Sequence, residues 1–316
     1  MIKIKLFYII VLLLNSTMDN LILQLNSFLD NHKTEIIIGI ILVIPIIVIC
    51  LKKKKVITSE INNKVTICVK TLYRSKAIGK FVKDTREILP NITIIISDDS
   101  DDDYKLENQK SIYNASPNDP NIIYIPLPYD SGLSKGRNEC VKRVKTPYTI
   151  ITDDTRTIDN ADSVYKLVDY LDKNKQYDII TGRIPNRPYE KKFESVYINN
   201  EKIDSKKEIL KLMKNLNNEI QIKENNINEI NKEGYYKTDI GVNTFISRTD
   251  ILSKYPWNNN LKLHEHSYFF LILWCNNINI LYDKNFIFNQ MNGQYRIYDK
   301  NGSSLRYRKM LKLEYI

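Results

Sequence analysis

The chain has 316 residues and carries 47 Lys and Arg against 37 Asp and Glu, a net charge of +10. Hydrophobic residues make up 43%, enough to bury a core, so a globally disordered chain is excluded; nine glycines exclude a collagen-like one. Cys50, Cys68, Cys140 and Cys275 are widely spaced and form no CxxC pair, which excludes a zinc ladder or a disulfide scaffold and favours a reducing compartment.

The N-terminal region, residues 1–55, reads as a membrane anchor. Ile36–Leu51 is an uncharged apolar run of about 16 residues, at the short edge of the roughly 17–25 that span a bilayer. Lys52–Lys55 follow and can snorkel to the headgroups. By the positive-inside rule they place the rest of the chain in the cytoplasm, with a lumenal arrangement as the alternative. Leu6–Leu14 is a second apolar run, read as a short span or a signal-like segment.

From residue 64 the chain alternates between strands and helices. Val65–Lys70 is a β-branched strand; Ser75–Leu89 has helical apolar spacing and stops at Pro90. Strands follow at Ile92–Ser97, Ile122–Ile125 and Tyr148–Thr152, with a helix at Ser134–Val144. Ala161–Lys173 and Tyr177–Thr181 repeat the pattern. Such alternation predicts an α/β fold whose central sheet is mostly parallel and flanked by helices. Asp204–Lys232 reads either as an amphipathic, heptad-like helix that offers a route to homo-oligomers, or as a solvated insertion. Strand character returns near Ile240, then a helix at His264–Cys275 and a strand at Ile278–Tyr282. The tail, 293–316, is basic. Positive charge lies in Lys52–Lys55, the insertion and the tail rather than among aromatics, so no nucleic-acid partner is expected.

Four pieces carry chemistry. Asp98-Asp99-Ser100 follows the second strand, where carboxylates beyond a parallel strand face a ligand crevice, or else a solvated turn. Asp153-Asp154 ends the fourth strand and suits Mg²⁺ or Mn²⁺ with a diphosphate, or caps the next element. Gly132–Asn138 opens a helix with Lys135 and Arg137, an anion site or ordinary punctuation. His264-Glu265-His266 opens an apolar helix as a metal cluster, an acid/base group or a polar helix start; it is not HExxH.

Taken together, VTICVKTLYR (Val65–Arg74), ITIIISDDS (Ile92–Ser100), PYDSGLSKGRN (Pro128–Asn138), YTIITDDT (Tyr148–Thr155), TDIGVNTFISRTD (Thr238–Asp250) and LKLHEHSYFFL (Leu261–Leu271) resemble the glycosyltransferase family two superfamily with the GT-A fold. Within it the chain is similar to β-1,4-N-acetylgalactosaminyltransferases of the ganglioside GM2/GD2 synthase type. The resemblance implies a GT-A domain over about 64–292 acting as a metal-dependent, inverting glycosyltransferase. Its donor would be a UDP-sugar, its acceptor a glycan, glycolipid or glycoprotein, and its cofactor Mn²⁺ or Mg²⁺. It implies that Thr71, Tyr73 and Asp99 contact uracil and ribose, that Arg137 and Asp153 meet the nucleotide sugar, and that Asp154 holds the metal. Glu265 and His266 would open the motif that supplies the catalytic base. Two departures stand out: Thr155 replaces a third acid, and Tyr268 replaces an acid before the Phe-Phe pair. They leave room for a catalytically inactive binding protein. A sugar nucleotidyltransferase is disfavoured, because Thr71–Arg74 lacks that class's Gly- and Lys/Arg-rich loop.

Overall fold

The computed structural model describes residues 59–185, 191–227, 230–231, 234–261, 264–291 and 313–315. The chain divides into Met1–Ile57 and Thr58–Ile316, and the described residues belong to the second unit. The apolar runs Leu6–Leu14 and Ile36–Leu51 and the cluster Lys52–Lys55 lie outside the described residues. Among the described residues no helix is long and apolar enough to cross a membrane.

The first half comprises β1 (Val65–Thr71), α1 (Ser75–Ile88), β2 (Thr93–Asp98), α2 (Asp102–Ala115), β3 (Ile122–Pro126), α3 (Leu133–Val141) and β4 (Tyr148–Asp153), and all of these but α2 are expected from sequence. The strands lie in the order β3-β2-β1-β4, all parallel. Every residue of β1 is buried, as a strand covered on both faces must be. Helix α1 buries Ala77, Ile78, Phe81, Val82 and Thr85 as one stripe. Helix α2 begins just after Asp98-Asp99-Ser100. Asp101 caps it by accepting from the Tyr104 N–H, and Asp102 and Asp103 sit in the first turn, where the helix dipole favours acids. The winding reverses direction between β1 and β4, so a crevice opens beyond their carboxyl ends.

The second half corrects the expectation of a mostly parallel sheet. It contributes β5 (Arg156–Ile158), α4 (Ala161–Lys173), β6 (Ile179–Arg183), β7 (Lys191–Ile198), β8 (Glu201–Ile203), α5 (Lys206–Leu212), β9 (Ile220–Asn226), β10 (Tyr236–Thr238), β11 (Phe245–Arg248), α6 (Thr249–Lys254), α7 (Glu265–Cys275), β12 (Ile280–Gln290) and β13 (Leu313–Tyr315). The main sheet runs β10-β12-β6-β11-β4-β1-β2-β3, with β5 on β12. Strand β11 is antiparallel to both β4 and β6, and β12 is parallel to β6 but antiparallel to β10 and β5. The sheet is therefore mixed: β11 is reached through the excursion of β7–β10 rather than a helical crossover, and returns in the opposite sense.

A second sheet, β13-β9-β7-β8, corrects the heptad reading of 204–232. Among the described residues there, only Lys206–Leu212 is helical, and Ile220–Asn226 is a strand. Ile220 and Ile222 alternate inward with period two, and Ile209 is buried beside them. These isoleucines fill the chain's own core, so they form no coiled-coil seam for a second copy. Helix α7 lies between the two sheets and is apolar all round beyond its polar first turn. Phe270 packs 5.9 Å from Phe245 of the main sheet, and Trp274 lies 5.8 Å from Phe193 of the second.

Candidate active site

The two acids at the end of β2, Asp98 and the following Asp99, are fixed within the protein. Asp98 is fully buried and accepts from the Ser100 N–H (2.9 Å), the Ser100 hydroxyl (2.6 Å), Asn108 Nδ2 (2.7 Å) and the Tyr124 hydroxyl (2.6 Å). Asp99, also fully buried, pairs with Lys70 Nζ at 2.5 Å and accepts from the Gly132 N–H at 2.8 Å. It thereby ties β1, β2 and the turn into α3 together. Gly132 holds φ +91°, a left-handed geometry that only glycine adopts freely. Gly136 permits the close approach of α3: a Cβ there would stand 2.5 Å from Lys70 Cγ and 2.8 Å from Ser97 Oγ.

Tyr73 lines one flank of the crevice. Its N–H donates to Ser100 Oγ at 2.9 Å and its hydroxyl to Asp101 Oδ2 at 2.9 Å. Its ring meets Tyr104 edge-on at 4.6 Å and Tyr129 at 6.0 Å, making an aromatic wall. Burial and its hydrogen bonds to Tyr129 and Asp101 hold the phenol well above its ordinary pKa, so it stays protonated.

The acids ending β4 meet three arginines. Asp154 has a 1% exposed side chain; its Oδ2 accepts from the Thr71 hydroxyl at 2.8 Å and its Oδ1 from Arg74 Nη1 at 2.6 Å. Asp153 is more open, at 25%, and lies 2.7 Å from Arg156 Nη1 and 3.4 Å from Arg137 Nη2. Burial opposes ionisation of both. Around Asp153 the charges of Arg156, Arg137 and Arg74 outweigh it and hold the carboxyl below the usual range. At Asp154 burial prevails over Arg74 and Thr71, and the pKa is raised. Arg156 is steadied by Thr244 Oγ1 at 3.0 Å. Thr155 offers its backbone: its carbonyl accepts from the Met291 N–H at 2.9 Å.

Helix α7 supplies the opposite wall. Glu265, nearly buried, accepts from Arg137 Nη1 at 3.2 Å, while the Trp257 ring lies 5.6 Å from that guanidinium. His266 Nε2 lies 2.6 Å from the Gly241 carbonyl. A carbonyl only accepts, so Nε2 carries the proton and Nδ1 is the acceptor nitrogen of the neutral ring. Burial and the charge of Arg137 push the His266 pKa down to about 3. Tyr268 faces away from these groups: its hydroxyl donates to the Met213 carbonyl at 3.1 Å, under the second sheet.

Thr71, Asp153, Asp154, Arg137 and Glu265 thus form a connected set at the crevice, with Tyr73 and Asp99 on its flank. Arg74 and Arg156 were not singled out from sequence, although both stand within four residues of an expected site residue; an adjacent acid pair at a strand end itself signals that cations must be near.

The acid pair offers hard oxygens of the kind Mg²⁺ or Mn²⁺ takes from a protein when a diphosphate supplies the rest. Asp153 fits that role as the open carboxylate. Asp154, the ligand expected from sequence, is nearly closed to solvent and held by Thr71 and Arg74; both oxygens of Asp153 also meet arginines, so either acid would have to release a cation to take an ion. Among the described residues no group of three His, Cys, Asp or Glu side chains is placed to hold an ion, so the protein's share would be this pair.

A model of glycosyl transferase family 2 matches residues 66–234, more than half the chain. Mouse β-1,4 N-acetylgalactosaminyltransferase 2 is 28% identical over 131 residues, which are 42% of this chain and 23% of that protein. Mouse β-1,4 N-acetylgalactosaminyltransferase 1 is 30% identical over 125 residues, 40% of this chain and 21% of that protein. The matched segment is thus under a quarter of either relative's length. Among solved structures, residues 1–349 of S. aureus TarS align with a TM-score of 0.48 and 16% identity, over 72% of this chain and 60% of that one. Mannosyltransferase PcManGT from Pyrobaculum calidifontis, in complex with GDP-Man and Mn²⁺, gives 0.46 and 10% over 76% and 58%. The family match spans the strand ends that carry Thr71, Asp99 and the Asp153–Asp154 pair as well as the helix that carries Arg137, and the chain belongs to glycosyl transferase family 2.

Proposed function

We propose that this chain transfers a sugar from a UDP-sugar to a hydroxyl of a glycan, glycolipid or glycoprotein, with inversion at the anomeric carbon. The names of its mouse relatives point to N-acetylgalactosamine as the sugar. The observation that carries the reading is the meeting of Thr71, Asp153–Asp154, Arg137 and Glu265 where the winding of the sheet reverses.

In this reading the wall of Tyr73, Tyr104 and Tyr129 takes the flat base. Arg137, with Arg74 and Arg156 nearby, takes the diphosphate. Glu265 accepts the proton of the acceptor hydroxyl as its oxygen bonds to the anomeric carbon and the bond to the diphosphate oxygen breaks. Asp153 and Asp154 would hold Mn²⁺ or Mg²⁺, which neutralises charge gathering on the leaving diphosphate. Tyr268 does not favour an inactive protein, since it is committed to Met213 outside the crevice. The N-terminal apolar run would anchor the chain with this unit on the cytoplasmic side; complete protease protection in sealed microsomes would overturn that placement.

The test is a screen of UDP-sugars for binding and UDP release, with and without Mn²⁺. Saturable binding of at least one UDP-sugar with slow hydrolysis is expected. Failure of every UDP-sugar and of UDP itself to bind would overturn the reading.

A further inference from the structure

We propose that Arg137 is a positioning residue that hands over between two anions. Without donor it holds Glu265; an arriving diphosphate takes the guanidinium and leaves Glu265 available to the acceptor hydroxyl. The inference rests on the donor reading given above.

The geometry supports it in four ways. Arg137 spans the two sides of the crevice, touching Asp153 at the end of β4 and Glu265 at the start of α7. Its contacts, 3.4 and 3.2 Å, are long for charge-assisted bonds, which usually run about 2.7–2.9 Å, whereas Arg74–Asp154 and Arg156–Asp153 are short, at 2.6 and 2.7 Å. Arg137 is the loosely held member of the cluster. Asp153 keeps Arg156 when Arg137 turns away, so its charge stays compensated. The side chain is only 3% exposed, and a cation so enclosed must keep an anion at hand. A diphosphate meets that need, because guanidinium binds phosphate oxygens two at a time.

The test is a double-mutant cycle on UDP affinity, read by calorimetry on the full chain. Glu265→Gln removes the competing anion and should tighten UDP binding about fivefold or more. Arg137→Gln should weaken it. Glu265→Gln placed on Arg137→Gln should then have no further effect. Unchanged or weaker binding in Glu265→Gln overturns the handover. So does equal tightening in the Arg137→Gln background, which would mean general charge repulsion. If Glu265→Gln does not fold, Glu265→Asp, which shortens the reach to Arg137, is expected to tighten UDP as well, and no gain there overturns the handover equally. A parental chain that binds no UDP overturns the donor reading itself.

Discussion

Arg137 and Glu265 stand 128 positions apart in sequence, yet their side chains meet at 3.2 Å in the crevice. One sits on α3, the last helix of the parallel half. The other opens α7, the helix clamped between the two sheets. Their pairing joins the half of the domain that would bind donor to the wall that would receive the acceptor. It also gives Glu265 a direct ion pair with the donor side, whereas the hydrogen bond of His266 goes to the Gly241 carbonyl.

The two residues opening α7 should differ in weight. A general base works best with a pKa near the working pH, and His266, held near 3, is a weak one. Glu265→Gln is expected to lower sugar transfer by about 10²–10⁴ while UDP binding survives. His266→Gln, which can still donate to the Gly241 carbonyl, should lose far less. Steady-state transfer rates with UDP affinities decide this; a larger loss in His266→Gln would reassign the base.

The Arg74–Asp154 pair makes a stability prediction with a pH signature. Arg74→Ala leaves a carboxylate with 1% exposure without its cation, at a cost of about 3 kcal/mol at neutral pH. Burial already raises the Asp154 pKa, and loss of Arg74 raises it further. An acid whose folded pKa exceeds its unfolded value binds more protons when folded, so stability recovers as pH falls toward that unfolded value. Urea unfolding at pH 7.5 and pH 5 should show the Arg74→Ala deficit shrinking in acid. A deficit of equal size at both would refute the pairing.

How much of this was legible in sequence follows from burial. β1, β2 and β4 are apolar runs because both faces are covered, and α1 and α4 bury clean stripes, so all five were readable. Helix α2 buries only Asn108 and Ile112, too little for a periodic signal. Strand β9 has only Ile220 and Ile222 buried and ends in Lys223-Glu224-Asn225-Asn226, which made it look like a solvated insertion. The acids of the site were visible because carboxylates at strand ends are unusual. Their partners Lys70, Arg74 and Arg156 were not, because which cation meets which acid is decided by the strand order, which sets the end of β1 between those of β2 and β4, and by the turn from β4 into β5.

His266 should also make the fold acid-sensitive. Its folded pKa of about 3 lies below the ordinary 6.5. Between those values the unfolded chain binds more protons than the folded one, so stability falls as pH drops through that window. From pH 7 to pH 5 this one residue is expected to remove about 1–2 kcal/mol. His266→Gln should lose correspondingly less over the same interval. The urea midpoint at the two pH values measures it, and parallel losses in parent and variant would show that the ring is not held neutral.

Tyr268 stands where the family resemblance implies an acid, and the structure explains why introducing one should fail. The ring is 5% exposed and lies under the second sheet, with its hydroxyl on the Met213 carbonyl. A carboxylate at that place would be buried against a carbonyl, which offers no proton, and burying an uncompensated charge is costly. Tyr268→Asp is therefore expected to destabilise the fold without raising transfer. Tyr268→Phe should cost about 0.5–1.5 kcal/mol, the worth of one hydrogen bond, and leave the transfer rate unchanged. Thermal midpoints read alongside transfer rates separate the two effects. Faster transfer by Tyr268→Asp at undiminished stability would mean that this side chain reaches the crevice, and that the acid missing from the motif belongs to the chemistry.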